Sequence, residues 1–206
     1  VVHSPGGLDS VDFDRALASL RQERFRPEIT IDEAPAPQRL APHAVALTAE
    51  ILDPADTEAD AIATGRLVVL HDPEGVDSWG GTFRVVSYAR ADLEADLAGD
   101  HLLTSVGWSW LQDALAEEGA AHHSLGGTVT RVFSEGFGSL VDSGSNGQIE
   151  IRASWTPESP PEDLGRHARA WACVLSSAAG LIPEAAGVTR LGRPSTPQPG
   201  VMTTSP

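Results

Sequence analysis

Among 206 residues there is no lysine, and all 14 basic side chains are arginine. That absence removes the phosphate-gripping lysine of a Walker A loop, the Schiff-base lysine of pyridoxal phosphate and aldolase chemistry, and any lysine general base. A single cysteine, Cys173, excludes an intramolecular disulfide and a four-cysteine zinc site. Positive charge is scarce: 29 acids outweigh the arginines, for a net charge of −15 and a pI near 4.7. Such a balance argues against nucleic-acid binding, which rests on phosphate neutralisation. No apolar run approaches the roughly 20 residues that a spanning helix needs, so no membrane partner is expected. Val1 to Gly7 place no basic region before an apolar core, so no signal peptide is expected either. These absences together predict a cytoplasmic protein. The missing lysine, the single asparagine and the abundance of Ala, Arg, Gly and Pro are also what GC-rich coding produces.

What is present is enough for a core. At 41% hydrophobic and 21% charged residues, the chain is apolar enough to collapse and too sparsely charged to remain a solvated coil. Its length suits one domain. Residues 1–9 read as a flexible lead, residues 10–191 as a single α+β domain, and residues 192–206, rich in Pro, Ser and Thr, as a disordered tail.

Periodicity orders the elements. Phe13, Leu17 and Leu20 form the stripe of a first helix, capped by Ser10 or Asp12 and closed before Pro27. Glu28–Asp32 alternates as a strand does. Pro35–Pro42, with three prolines in eight residues, is a stiff extended connector. Val45–Ile51 alternates, Arg66–His71 is a short apolar strand, and Asp72-Pro73-Glu74-Gly75 is turn chemistry before a strand at Thr82–Ala89. Asp100 can cap a central helix with a face of Leu103, Val106, Trp110, Leu111, Ala114 and Leu115. Thr128–Ser134 and Gln148–Trp155 are two more strands, with Asn146-Gly147 as a hairpin signal between them. Ser159-Pro160-Pro161-Glu162 is a capping box opening a last helix striped by Leu164, Ala168, Trp171, Leu175 and Ala178. The order α-β-β-β-β-α-β-β-α predicts an α+β fold, a largely antiparallel sheet of about six strands covered by three helices.

Five separated segments carry a family resemblance. They are Arg26–Ile29 running into Ala34–Pro42, Ala63–Pro73, Trp79–Arg84, Trp108–Leu111 and Gln148–Pro157. In that order they resemble the motifs of an actinobacterial family, domain-of-unknown-function family three thousand, over roughly residues 10–191. His43 departs from the aromatic residue expected there, and the loop after Ile51 varies. The resemblance implies no established activity. It implies a link to RNA processing only through genes for a ribonuclease D-like enzyme and for tetrapyrrole synthesis near those of the family.

The candidate functional residues fall into three groups. Arg39, Arg66, Arg84, Arg131 and Arg152 lie on or beside strands or the proline segment. Arg39, Arg66, Arg84 and Arg152, with His71 and Asp72 at a strand mouth, are the candidate ligand site, since arginine forks clamp carboxylate or phosphate. The competing reading pairs these arginines with acids on neighbouring strands, and makes His71 and Asp72 parts of a strand end and an Asx turn. Trp79 and Trp108 are candidate partner anchors, while Trp110, Trp155 and Trp171 belong to the core. His122-His123, with no third ligand near in sequence, and the acidic run Asp53–Asp60, without the EF-hand glycine and terminal glutamate, give no metal site.

No nucleophile stands at diagnostic spacing, and there is no Gly-x-Ser-x-Gly elbow. The sequence therefore offers no catalytic residue and no cofactor, and it leans away from an enzyme while leaving that question open. The leading expectation is a non-catalytic interaction or regulatory domain. Residues 50–100 hold 12 acids against three arginines, a local −9 that would attract a basic protein partner. One rival is a small anionic-ligand binder or enzyme using an arginine-lined sheet face. Another is an accessory factor in RNA processing, against which stand the acidity and the lack of an aromatic RNA-recognition motif.

Overall fold

The structure, a computed structural model, describes residues 11–37, 39–53, 60–158 and 160–182. The expected lead over residues 1–9, the tail over residues 192–206 and most of the acidic loop lie outside the described residues. The elements are α1 (Val11–Gln22), β1 (Ile29–Ala34), β2 (His43–Ile51), β3 (Ala63–Val76), β4 (Gly81–Leu93), α2 (Ala95–Gly99), α3 (Leu103–Glu117), β5 (His122–Glu135), β6 (Ser145–Pro157) and α4 (Leu164–Ala178). Short 3₁₀ turns span Gly138–Ser143 and Pro161–Asp163. The class is α+β as expected, with the five-residue α2 as an additional helix.

One six-stranded sheet runs in the order β1-β2-β3-β4-β6-β5, with every neighbouring pair antiparallel. Successive strands pair directly through β4. The chain then passes through α2 and α3 to the far edge, lays down β5, and returns as β6 between β5 and β4. All the long helices pack on one face. Strand alternation makes this possible: Phe83, Val85, Ser87, Ala89 and Ala91 of β4, and Ile149, Ile151, Ala153 and Trp155 of β6, are buried in strict period two.

The middle helix, α4, is buried nearly all round because it lies on the sheet between α1 and α3. Its alanines, among them Ala168, Ala170 and Ala172, let both neighbours approach. Trp171 and Leu175 are fully buried, each worth roughly 1.5–3 kcal/mol in transfer from water. Two strand–helix contacts demand glycine. A Cβ on Gly65 of β3 would lie 2.7 Å from Trp171 Cζ2, and one on Gly107 of α3 would lie 2.8 Å from Ile149 Cδ1. The Trp171 indole N–H donates to the Tyr88 carbonyl at 3.0 Å, fixing α4 on β4. Ser19 Oγ accepts the Gly165 N–H at 2.8 Å, so a residue of α1 caps α4. Among the described residues no helix is long and apolar enough to cross a membrane.

Several boundaries differ from the periodic reading. The strand expected at Arg66–His71 runs from Ala63 to Val76, and the turn falls at Asp77–Gly80, not at Asp72–Gly75. Pro73 is tolerated because the β3–β4 register shifts between His71 and Val76. Asp72 Oδ1 accepts the Glu74 N–H at 3.1 Å there, an Asx turn inside an irregular ladder. Asn146-Gly147 is not the β5–β6 turn. Asn146 pairs with Ser134 and Gly147 with Phe133, and the chain turns earlier, through Gly138–Ser143. Gly147 is needed in the strand, since a Cβ there would meet Ala98 Cβ of α2. On α3 the buried line is Leu103, Gly107, Leu111, Ala114 and Leu115, leaving Val106 exposed and Trp110 half-buried. Asp100 does hold the turn before α3, accepting the Leu102 N–H at 2.8 Å. The last helix carries no side-chain cap from its own segment, and Ser159 lies outside the described residues.

Candidate functional site

The face away from the helices collects the even-numbered residues of the central strands: Arg66 and Val68 of β3, Arg84, Val86, Tyr88 and Arg90 of β4, and Glu150, Arg152 and Ser154 of β6. Each arginine on this face is held differently. Arg66 Nη2 donates to the Pro35 carbonyl at 2.7 Å, tying β3 to the proline connector. Arg90 pairs with Asp92 at 3.4 Å. Arg152 Nη2 donates to Glu150 Oε2 at 2.9 Å, and its guanidinium lies 5.4 Å over the Tyr88 ring. The Tyr88 hydroxyl donates to the other oxygen, Glu150 Oε1, at 3.2 Å. Burial and the Glu150 carboxylate both push the Tyr88 phenol above its usual range.

Among the described residues Arg84 has no such acid. Its Nη1 donates to the Ser124 carbonyl at 3.2 Å and to Thr156 Oγ1 at 3.0 Å, and its Nη2 donates to Ser154 Oγ at 2.6 Å. Thr156 in turn donates to the Trp79 carbonyl at 2.6 Å. The guanidinium thus links β4, β6 and the start of β5, where Ser124 takes a left-handed φ of 51° beside a register shift between His123 and Gly126. Burial alone pulls Arg84 below the usual arginine range, with no carboxylate raising it.

Beside these forks lies a shallow groove of roughly 450 Å³, lined by Val86, Ser87, Tyr88, Gly126, Gly127, Thr128, Arg152, Ala153 and Ser154. Arg152 borders it directly, and Arg84 reaches it through Ser154. Arg39 is exposed on the β1–β2 connection. His71 stands on the opposite side of the sheet, buried beneath Phe13 of α1. It stacks with Phe83 at 4.2 Å, His43 at 5.6 Å and Phe13 at 6.0 Å. Of the residues singled out as a ligand site, then, Arg66, Arg84 and Arg152 share a face, Asp72 sits in the β3 irregularity, and His71 is separated from them by the sheet.

The second feature is the β5 edge. Among the described residues the sheet ends at β5, so one side of that strand has no strand partner. Val132 and Phe133 are exposed on it, and in the following turn Phe137, Leu140 and Val141 are 73%, 62% and 62% exposed. Leu97 of α2, Leu102 just after it and Val106 of α3 add to the exposed apolar surface. Arg131 fixes α2 against β5, donating to the carbonyls of Ala98 and Gly99 at 2.9 and 2.8 Å. Residues 94–118, which bear α2 and α3, hold six acids and no arginine. Trp108 is half-buried next to Gly107, whose α-carbon faces Val129 of β5, and Trp79 is half-buried in the turn at the other end of that strand. Sequence reading passed over Phe133 and Phe137. The available signal was the apolar content of the connection itself: Phe137, Leu140 and Val141 are too many large side chains for a solvated turn. Among the described residues no group of His, Cys, Asp or Glu could hold a metal ion.

The profile of a family described as "Protein of unknown function (DUF3000)" matches residues 9–189. No curated protein and no solved structure matches the chain.

Proposed function

Because the chain belongs to the DUF3000 family, whose description assigns no activity, we propose that it is a cytoplasmic, non-catalytic interaction domain that docks an extended, basic and apolar segment of another protein along β5. The observation that carries this reading is the edge itself. Natural sheets blunt their edges with charge, proline or a covering loop. Here Val132, Phe133 and the turn after them are left apolar and open. An added strand would take up the free backbone groups and cover alternating side chains on both faces. Six acids on the flanking α2–α3 segment, without a balancing arginine, favour a partner segment bearing Arg or Lys. Trp79 and Trp108, at one end and on the helix side of β5, would border the docked segment.

Selection of a random peptide library on the protein at low salt tests this reading. The expected peptides alternate apolar residues with Arg or Lys, and their affinity falls as salt rises. Val132→Lys and Phe133→Lys should each weaken them about tenfold, because each removes apolar contact and adds repulsion. Both side chains are exposed, so both variants should fold with unchanged melting temperature. Selected peptides that bind both variants as tightly as the parent protein would overturn the proposal.

A further inference from the structure

The geometry points to a second, separate site: the groove between Arg84 and Arg152 on the open sheet face binds a small anion carrying two acid groups. The argument begins with charge. The chain holds about two acids for every arginine, and the part-buried Arg26 and Arg169 each pair with carboxylate. Arg84, also part-buried, is held among the described residues only by neutral oxygens, from Ser124, Thr156 and Ser154. Those three bonds fix the guanidinium in place and leave two of its five N–H donors over. A part-buried cation, immobilised beside an open groove and with no carboxylate against it among the described residues, is arranged as a receptor for an anion supplied from outside.

The second fork is Arg152, anchored on one side by Glu150 and by the Tyr88 ring, with its side chain 62% exposed. Along the β4–β6 ladder Val86 faces Ser154, and Tyr88 faces Arg152. Arg84 therefore stands four residues from the Tyr88–Arg152 row, roughly 13 Å along the backbone. Its Ser154 contact leans it toward that row. Between the forks the floor is Val86, Ser154 and Gly126. A Cβ on Gly126 would meet nothing within 4 Å, so the strand is bare where a ligand would lie. Two cationic ends and a short apolar floor fit a linear diacid. Carboxylate and phosphate share the fork-binding chemistry, and a single acid would use only one end.

Calorimetric titration at low salt discriminates. The probes are acetate, inorganic phosphate, inorganic pyrophosphate, and the linear dicarboxylates from succinate to suberate. At least one two-acid probe should bind, and about tenfold or more tighter than acetate or inorganic phosphate. The dicarboxylate and pyrophosphate arms decide which acid is preferred. Arg84→Gln should abolish binding. Because Arg84 also ties three strands together, two surface variants accompany it. Arg152→Gln should weaken the best probe about tenfold by removing one fork. Gly126→Leu should block it by filling the floor without touching either arginine. Val132→Lys, on the strand edge, should leave it unchanged, which separates this site from the docking edge. Absence of binding by every probe, a diacid no tighter than its monoacid, or full affinity in both Arg152→Gln and Gly126→Leu would overturn the inference.

Discussion

Replacing Trp155 with alanine should destabilise the protein by about 3–5 kcal/mol, read from urea unfolding at neutral pH. The indole is fully buried near the C-terminal end of β6, and its N–H donates to His167 Nδ1 of α4 at 3.0 Å. Truncation removes one of the two largest buried side chains between sheet and helix layer, and leaves the His167 ring without that partner. Domains of this size are stable by roughly 5–15 kcal/mol, so the variant should lose a large share of its margin. A loss below about 1 kcal/mol would mean that α4 does not rest on Trp155 as described.

Acid should destabilise the protein through His167 before most carboxylates titrate. Desolvation first, then repulsion from His122, holds this imidazole down from 6.5 to about 4, against an opposing pull from Asp163. Its Nδ1 is taken by the Trp155 N–H, and its Nε2 has no hydrogen-bond partner among the described residues. The folded state thus keeps the ring neutral, while the unfolded chain protonates it below about 6.5. Stability is fully present above 6.5, falls as pH drops toward 4, and stops falling on this account below that. At about 1.36 kcal/mol per pH unit, the interval from 6.5 to about 4 amounts to roughly 3 kcal/mol. His167→Asn keeps an acceptor for Trp155 and cannot titrate, so its stability should decline less steeply across that window. Parallel curves for the two proteins between pH 6.5 and 4 would contradict a buried neutral His167.

Much of the fold is legible in the residues because the sheet has one dry face and one wet face. Alternation such as Ile149, Ile151 and Trp155 against Arg152 is then written directly into the sequence. What was not legible depends on contacts between distant segments. Asn146-Gly147 has the chemistry of a tight turn, but Gly147 serves α2, whose Ala98 occupies the space of its missing side chain. Hydropathy could not place Gly107 on the buried line of α3, since a glycine has no side chain to score. It is buried because Ile149 needs the room, and Val106 is turned outward as a result. The run Leu67–His71 is apolar at nearly every position, so period two could not say that His71 faces the helices.

The candidate sites divide in the same way. That Arg66, Arg84 and Arg152 share a face follows from strand period. That the Ser124 carbonyl joins Ser154 and Thr156 in holding Arg84 follows only from the bulge at Ser124, which no local pattern announces. The open edge could not be read either, because which strand ends the sheet is set by β6 returning inside β5.

Backbone amide hydrogen exchange, measured on the protein alone and with a selected basic–apolar peptide bound, tests the docking of a strand on β5 most directly. The proposal predicts that amides within His122–Glu135 become slower to exchange on binding, while β1, at the opposite edge, is unchanged. New protection at Ile29–Ala34, or bound peptide with no change along β5, would contradict it.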